Sequence, residues 1–326
     1  MDYVVLPGTD LTMSRLTLGT MTFGAQVNRD DAQAMVTASL DAGITVFDTS
    51  NSYNGGESER ILGEILAPIR EKVILASKVF YPVGDGVDTG GLDRGSLERA
   101  LDHSLKRLGT DYLDIYFLHA PDPNSPIAET MDALGETVRK GKVRHVGVSN
   151  FASWQIAEIC SRSDLLGWPP LQISQTVYNL LARRIEDEYV AMTENFDVFS
   201  FVYNPLAGGL LSGARSASRD PEPGTRYAGD TAQAGMYRER YWNDTQFRAV
   251  EQLTAIARDA GLSLIELSYR WLFSQPAVGS IIVGASRLEQ LAANLRVAAD
   301  PLEASILAAC DHVWSQLEGV APAYHR

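Results

Sequence analysis

The sequence predicts a single closed (β/α)8 barrel, and three observations carry that expectation. From residue 16 onward, short strand-like runs alternate with longer helical patterns. There are eight such runs. They are spread over about 280 residues, which suits one closed barrel better than an open sheet. A chain of 326 residues, 45% of them hydrophobic, is long enough to bury a large core.

Ahead of the repeat, Val4–Leu6, the turn residues Pro7-Gly8-Thr9-Asp10, and Leu11–Met13 read as a β-hairpin that caps the bottom of the barrel. The barrel strands are Leu16–Thr20, Ile44–Asp48, Val73–Lys78, Leu113–His119, Val143–Ser149, Leu171–Thr176, Val198–Val202 and Ser280–Val283. Helices fill the gaps. After the third strand, Leu97, Leu101, Ser104, Leu105 and Leu108 form a stripe at helical spacing that Gly109 stops. After the fourth, Ser125 reads as an N-cap with Pro126 at the first helical position, and Gly141 ends that helix. After the eighth, Leu288, Leu291, Ala292 and Leu295 form another stripe.

Two segments break the repeat. Residues 212–244 follow the seventh strand, are rich in Gly, Pro and Arg, and are weakly periodic; long segments of this kind are either functional or disordered. Their position on the active rim, with several tyrosines and Trp242, favours a lid. The tail from Gly319 follows a helix and ends on Arg326. The expectation is therefore one domain over residues 1–326, an α/β TIM barrel with an N-terminal β-hairpin. The long loop after the seventh strand and the C-terminal tail lie over its active face.

Bulk properties narrow the function. A formal net charge of −13 argues against a nucleic-acid partner, which calls for a basic face. No run reaches the roughly 18 apolar residues of a membrane span. The start, Met1-Asp2-Tyr3-Val4-Val5-Leu6, lacks the basic and apolar regions of a signal peptide, so a cytoplasmic location is expected. Cys160 and Cys310 both read as small hydrophobes on helices rather than a bridge. Neither is flanked by metal-ligand spacing, and the five histidines are scattered, so no metal is expected.

A barrel gathers the C-terminal ends of its strands on one face, where enzymes of this architecture keep their chemistry. The second strand ends at Asp48, the third at Lys78 and the fourth at His119, and Tyr53 arrives from the loop after the second. Neighbouring strands lie about 4.8 Å apart, so the three side chains can converge. Taken singly, each has a bland reading: a capping Asp, a solvated Lys, a core His, a turn Tyr. Together they define one chemistry. A phenol with a pKa of about 10 is a poor proton donor at neutral pH. A lysine ammonium within about 4–6 Å favours the phenolate. An aspartate paired with that lysine keeps it charged and fixed, and a histidine opposite orients a substrate oxygen. Such a set donates a proton to a carbonyl oxygen whose carbon accepts hydride.

The hydride donor has no glycine fingerprint in this chain: Gly-x-Gly-x-x-Gly and Walker sequences are both absent. Val283-Gly284-Ala285-Ser286-Arg287 instead runs straight into a helix, offering free backbone N–H groups, a hydroxyl and a guanidinium to a phosphate. Ser149, Asn150 and Gln175 add hydroxyl and amide groups on the same rim, and Tyr203 adds an aromatic face. Together they suit a carboxamide and a flat ring. A barrel glycosidase would need two carboxylates about 5–9.5 Å apart on the rim, and none is evident at the ends of the fourth and seventh strands.

At this point the chain resembles the aldo-keto reductases over essentially its whole length. Asp48, Tyr53, Lys78 and His119 match that family's catalytic tetrad in order, spacing and strand context, and "YFLHAPD", "GVSNFASWQIAEIC", "YNPLAGGLLSG" and "VGASRLEQLAANL" are specific matches. "YRERYWNDTQF" and the terminal "PAYHR" are similar to the aflatoxin-aldehyde and succinic-semialdehyde reductase branch. The resemblance implies NADPH/NADP+ as cofactor, Tyr53 as proton donor, Lys78 and Asp48 as its tuning pair, and His119 as the carbonyl partner. It implies that Ser149, Asn150 and Gln175 hold the nicotinamide amide, with Tyr203 stacked on the ring. Asn204, Pro205, Leu206, Ala207 and Gly208 would follow the pyrophosphate. Gly284, Ser286, Gln290 and Asn294 would surround the adenosine end, with Arg287 near the 2′-phosphate. Arg226 matches an arginine that approaches phosphate in that branch, and Arg326 one associated with substrate carboxylates. Two positions depart from the branch: Ala214, followed by Arg215, stands where a lysine is usual, and Ala293 where an acidic residue is common.

The resulting expectation is NADPH-dependent reduction of a small-molecule aldehyde or ketone, with carboxylate-bearing and dicarbonyl compounds as candidates. A homodimer is left open. The alternative is a nucleotide-sensing regulatory subunit resembling the potassium-channel β subunits, which share the fold and much of the tetrad.

Overall fold

The eight apolar runs become eight parallel strands that hydrogen-bond edge to edge until the last meets the first. The computed structural model describes residues 1–84, 86, 88–213, 220–222, 225–297 and 299–319. Among them, β1 (Tyr3–Val5) and β2 (Thr12–Ser14) pair as an antiparallel hairpin. The barrel strands are β3 (Leu16–Gly19), β4 (Val46–Asp48), β5 (Ile74–Val79), β6 (Leu113–Leu118), β7 (Val143–Ser149), β8 (Leu171–Val177), β9 (Phe199–Tyr203) and β10 (Ser280–Val283), closed in the order β10-β3-β4-β5-β6-β7-β8-β9. The helices are α1 (Arg29–Asp41), α2 (Glu57–Leu66), α3 (Arg94–Leu108), α4 (Ile127–Arg139), α5 (Ser153–Leu166), α6 (Tyr189–Asn195), α7 (Ala232–Tyr241), α8 (Asp244–Asp259), α9 (Leu264–Phe273), α10 (Leu288–Leu295) and α11 (Ala304–Glu318). The expected (β/α)8 TIM barrel with its N-terminal hairpin is the fold.

The chain divides into two compact units. The first holds Met1–Thr176, Ile185–Tyr203 and Ala277–Leu295, and so contains the barrel; the second holds Val177–Arg184, Asn204–Pro276 and the described residues from Arg296 on.

In the first unit, the alternation of side chains along each strand builds the core. Val46, Ile74, Ala76, Ile115, Phe117, Ile173, Phe199, Phe201 and Ile282 point inward and form one apolar cluster, which Leu6 and Met13 of the hairpin join. The hairpin therefore packs into the barrel core, as the sequence suggests. Outside, α3 buries the expected stripe of Leu97, Leu101, Ser104, Leu105 and Leu108; Asp93 caps its start and Gly109, at φ +61°, ends it. The helix after β6 departs from expectation. Pro126 is the N-cap and α4 begins at Ile127. The Ser125 hydroxyl instead donates to Asp122 Oδ2 at 2.7 Å, where the same carboxylate also gathers the N–H groups of Leu92 and Asn124. An Asp that satisfies three donors closes the turn itself and leaves Ser125 no capping role.

In the second unit, the segment 212–244 is not all loop. Residues 214–219, 223 and 224 lie outside the described ones, as do 320–326 of the tail, so Ala214, Arg215 and Arg326 carry no structural account. Thr231 caps α7 by accepting from Ala234 N, and Asn243 caps α8 by accepting from Gln246 N. Tyr227 packs against Trp242 (4.8 Å between ring centroids) and Tyr237 (5.8 Å), and Trp242 against Phe247 (5.1 Å). The aromatic residues that the sequence suggests for a lid thus build this unit's own core.

Cys160 is half-buried on α5 and Cys310 buried on α11; both are free, and burial pushes the thiols up to about 11 and about 12. Among the described residues, no helix is long and apolar enough to cross a membrane.

One close helix contact in the first unit is made by a glycine. A Cβ on Gly63 of α2 would run into the backbone carbonyl of Leu108 on α3. An interior Gly→Ala change ordinarily gains up to about 1 kcal/mol in a helix. Here Gly63→Ala is expected to cost about 1–3 kcal/mol by overpacking. Chemical denaturation of the two proteins checks the sign, and a higher midpoint in the variant would show that the helices have room to part.

Candidate active site

Five inward columns of the barrel core end, two residues on, in a polar side chain. Val46 is followed by Asp48, Ala76 by Lys78, Phe117 by His119, Ile173 by Gln175 and Phe201 by Tyr203. Period-two alternation therefore delivers these groups to one rim of the first unit.

Lys78 is fully buried, and its ammonium has three acceptors: Asp48 Oδ2 at 2.6 Å, the Thr49 carbonyl at 2.6 Å and Tyr53 Oη at 3.3 Å. Burial by itself would lower the pKa of this amine. Asp48 and Tyr53 outweigh it and hold the group above its ordinary value, so the ammonium is charged. The second oxygen of Asp48, Oδ1, accepts from Gln175 Nε2 at 3.0 Å. Tyr53 opens a tight turn in which Asn54, Gly55 and Gly56 are all left-handed, at φ 52°, 65° and 85°. Glycine adopts that conformation freely. Asn54 is pinned there because its side-chain amide donates to the carbonyls of Met21 and Phe23, at 2.9 and 2.7 Å.

His119 faces Tyr53 edge-on, with 5.9 Å between ring centroids, and Tyr81 edge-on at 4.9 Å. Burial, and then the Lys78 ammonium, push its imidazole well below the ordinary range, so the ring is neutral at physiological pH. Its Nδ1 lies 3.2 Å from Ser50 Oγ, while its carbonyl accepts from Asn150 Nδ2 at 2.9 Å. Asn150, left-handed at φ 62°, accepts in turn from the Tyr203 hydroxyl at 2.7 Å.

The donor set fits a nicotinamide. Ser149 and Gln175 are register partners on β7 and β8. Ser149 Oγ accepts from Asn150 Nδ2, and its own proton has no partner among the described residues; nor has Gln175 Oε1. A donor and an acceptor on adjacent strands are what a carboxamide needs.

The phosphate end differs from the sequence reading in one respect. The N–H of Ser286 is not free: it and the hydroxyl both donate to Gln290 Oε1, at 3.2 and 3.1 Å. Gln290 caps the turn before α10, so these donors are spoken for within the chain. Gly284 and Arg287 are exposed, and Asn294 is buried on α10.

In the second unit, Asn204 (φ 64°) accepts from Gly208 N at 2.6 Å and donates to the Tyr241 hydroxyl at 3.1 Å. Pro205 and Leu206 lie within that loop, and the Tyr227 hydroxyl donates to the Ala207 carbonyl. Arg226 donates to the Tyr237 hydroxyl at 2.7 Å.

Sequence reasoning missed the Thr49 carbonyl as a ligand of Lys78, Tyr81 beside His119, and Ser50 at its Nδ1. One signal was available for Ser50, which stands two residues beyond Asp48.

Comparison with known proteins agrees with this geometry. The aldo/keto reductase family model matches residues 15–315. Aflatoxin B1 aldehyde reductase member 2 of Homo sapiens is 34% identical over 95% of this chain and 89% of its own length. Aldo-keto reductase family 7 member A3 of Homo sapiens is 33% identical over 95% and 96%. A probable voltage-gated potassium channel subunit beta of Oryza sativa subsp. japonica is 32% identical over 91% and 90%. The chain belongs to the aldo/keto reductase family and is an oxidoreductase of the kind that pairs a nicotinamide cofactor with a small carbonyl compound.

Proposed function

We propose that the chain reduces aldehydes to primary alcohols, with NADPH as hydride donor and Tyr53 as proton donor. The observation that carries this reading is the buried Lys78 ammonium shared between Asp48, the Thr49 carbonyl and Tyr53 Oη. Bound NADPH supplies hydride to the carbonyl carbon. Tyr53 releases its proton to the carbonyl oxygen, and Lys78 stabilises the negative charge left on the phenol. Asp48 and Thr49 hold Lys78 in place. Neutral His119 donates an N–H to the same oxygen and orients it.

In this reading Ser149, Asn150 and Gln175 hold the nicotinamide amide, and Tyr203 covers the ring. Asn204, Pro205, Leu206, Ala207, Gly208 and Arg226 serve the pyrophosphate. Gly284, Ser286, Arg287, Gln290 and Asn294 serve the adenosine end. Arg326 anchors a substrate carboxylate, since a guanidinium binds that group bidentately. A homodimer and a cytoplasmic location belong to the same reading. A second reading, a nucleotide-sensing regulatory subunit, is favoured by the likeness to the rice protein named as a probable voltage-gated potassium channel subunit beta. It predicts tight nucleotide binding with negligible turnover and a partner that co-purifies at fixed stoichiometry.

Three outcomes are expected. Tyr53→Phe lowers kcat by about two to four orders of magnitude while the NADPH Kd, read by fluorescence titration, stays within about twofold. A variant that keeps most of its turnover removes Tyr53 as the proton donor.

Loss of NADPH absorbance is expected to be rapid with an aldehyde bearing a carboxylate, and slower with an uncharged aldehyde of similar length or with NADH. Preference for the uncharged compound would discard Arg326 as an anchor. NADPH binding with no turnover of either would favour the sensor.

The third concerns pH. The unfolded chain protonates His119 below about 6.5, and the folded chain does so only at lower pH. The folded state therefore has its full advantage above about 6.5, and loses it as pH falls toward the folded value. In His119→Gln, the slope of unfolding free energy with pH just below 6.5 is expected to be shallower by up to about 1.4 kcal/mol per unit. Equal slopes in denaturant melts at several pH values would contradict a neutral imidazole.

A further inference from the structure

A neutral imidazole carries one proton, on one of two nitrogens, and only one of those nitrogens can meet a substrate. In His119, Nε2 has no hydrogen-bond partner among the described residues, while Nδ1 lies 3.2 Å from the hydroxyl of Ser50. Ser50 is fully buried, so water does not compete for this contact.

The surroundings of Ser50 Oγ decide which way the bond runs. The N–H of Ser52 donates into Oγ at 3.4 Å, and the Ser52 hydroxyl lies 3.1 Å away. A hydroxyl oxygen has two lone pairs and one proton. The Ser52 N–H takes one lone pair, and when the Ser52 hydroxyl donates to the other, Ser50 keeps its proton to give. Three acceptors are in reach: the Ser52 hydroxyl at 3.1 Å, His119 Nδ1 at 3.2 Å and Asn51 Oδ1 at 3.3 Å. If Nδ1 carried the imidazole proton, it would compete at one oxygen with the Ser52 N–H, and with the Ser52 hydroxyl when that donates.

We propose that Ser50 is a positioning residue that donates to Nδ1 of His119, and so keeps the imidazole proton on Nε2, where it meets the reacting carbonyl. The alternative tautomer would present a bare Nε2 lone pair to a carbonyl oxygen, and the two would repel. The chain Ser52–Ser50–His119 thus sets the polarity of the ring without touching substrate. This inference rests on the reductase reading for its consequence but not for its test.

The test uses the whole protein labelled with ¹⁵N-histidine, with NADP+ and without substrate. Long-range ¹H–¹⁵N spectra distinguish a protonated from an unprotonated ring nitrogen, and His119→Gln identifies the His119 signals by their loss. The expected wild-type spectrum has the proton on Nε2 and none on Nδ1. Ser50→Ala is expected to show both tautomers in exchange, and to lose about three- to tenfold in kcat/KM for an aldehyde, the worth of one net hydrogen bond, with unchanged NADPH affinity. Ser50→Thr, which keeps the hydroxyl, restores the single tautomer. A wild-type proton on Nδ1 overturns the proposal even if the alanine variant fails to fold. So does an unchanged tautomer in a folded Ser50→Ala protein, whatever happens to its rate. A protein that reduces no aldehyde would sink the proposed function and leave the spectra to decide the tautomer.

Discussion

The structure of the rim depends on one buried cation. The Lys78 ammonium is fully buried, and the chain supplies three acceptors from three places: a strand end, a backbone carbonyl and a phenol. Removing one partner from a buried charge pair typically costs about 3–5 kcal/mol, because the other charge is left stranded. That penalty ties Asp48, Thr49 and Tyr53 to one another more firmly than any direct contact among them. Gln175 extends the arrangement by donating to the second oxygen of Asp48. The same charge acts on His119 by disfavouring a second cation nearby. One ammonium therefore holds the Tyr53 phenol in place and, second to burial, keeps His119 neutral.

Much of this was legible in the residues. Apolar runs marked every barrel strand, and in five of them the last inward core position told where a polar group would appear. Asp48, Lys78 and His119 could be placed because alternation is a local rule. The contact between Ser50 and His119 spans 69 positions in the chain, and no local rule reports it. Nor did pattern reveal Ser286, whose N–H looked available until the start of α10 brought Gln290 within reach.

The second unit was the hardest to read, for a physical reason. It is assembled from three stretches separated by parts of the barrel, so no change in composition marks its borders. Its helix α7, "AQAGMYRERY", carries a glycine and three charged residues among ten. Its buried face includes Ala234 and two tyrosines, Tyr237 and Tyr241, and tyrosine serves a core and a polar surface equally well. A pattern built on leucine and valine passes over such a helix.

The shared columns of core and rim have a consequence for how this chain can change over time. Phe117 and His119, or Ala76 and Lys78, are successive teeth of one comb. Losing or gaining a single residue within such a strand turns every later tooth to the opposite face. The polar rim groups are thereby locked to the barrel's alternation, and insertion or deletion inside β4, β5 or β6 would dismantle the rim. The loops beyond the rim are under no such rule. A change of length there turns no rim side chain, so the loops are free to differ while the interior keeps count.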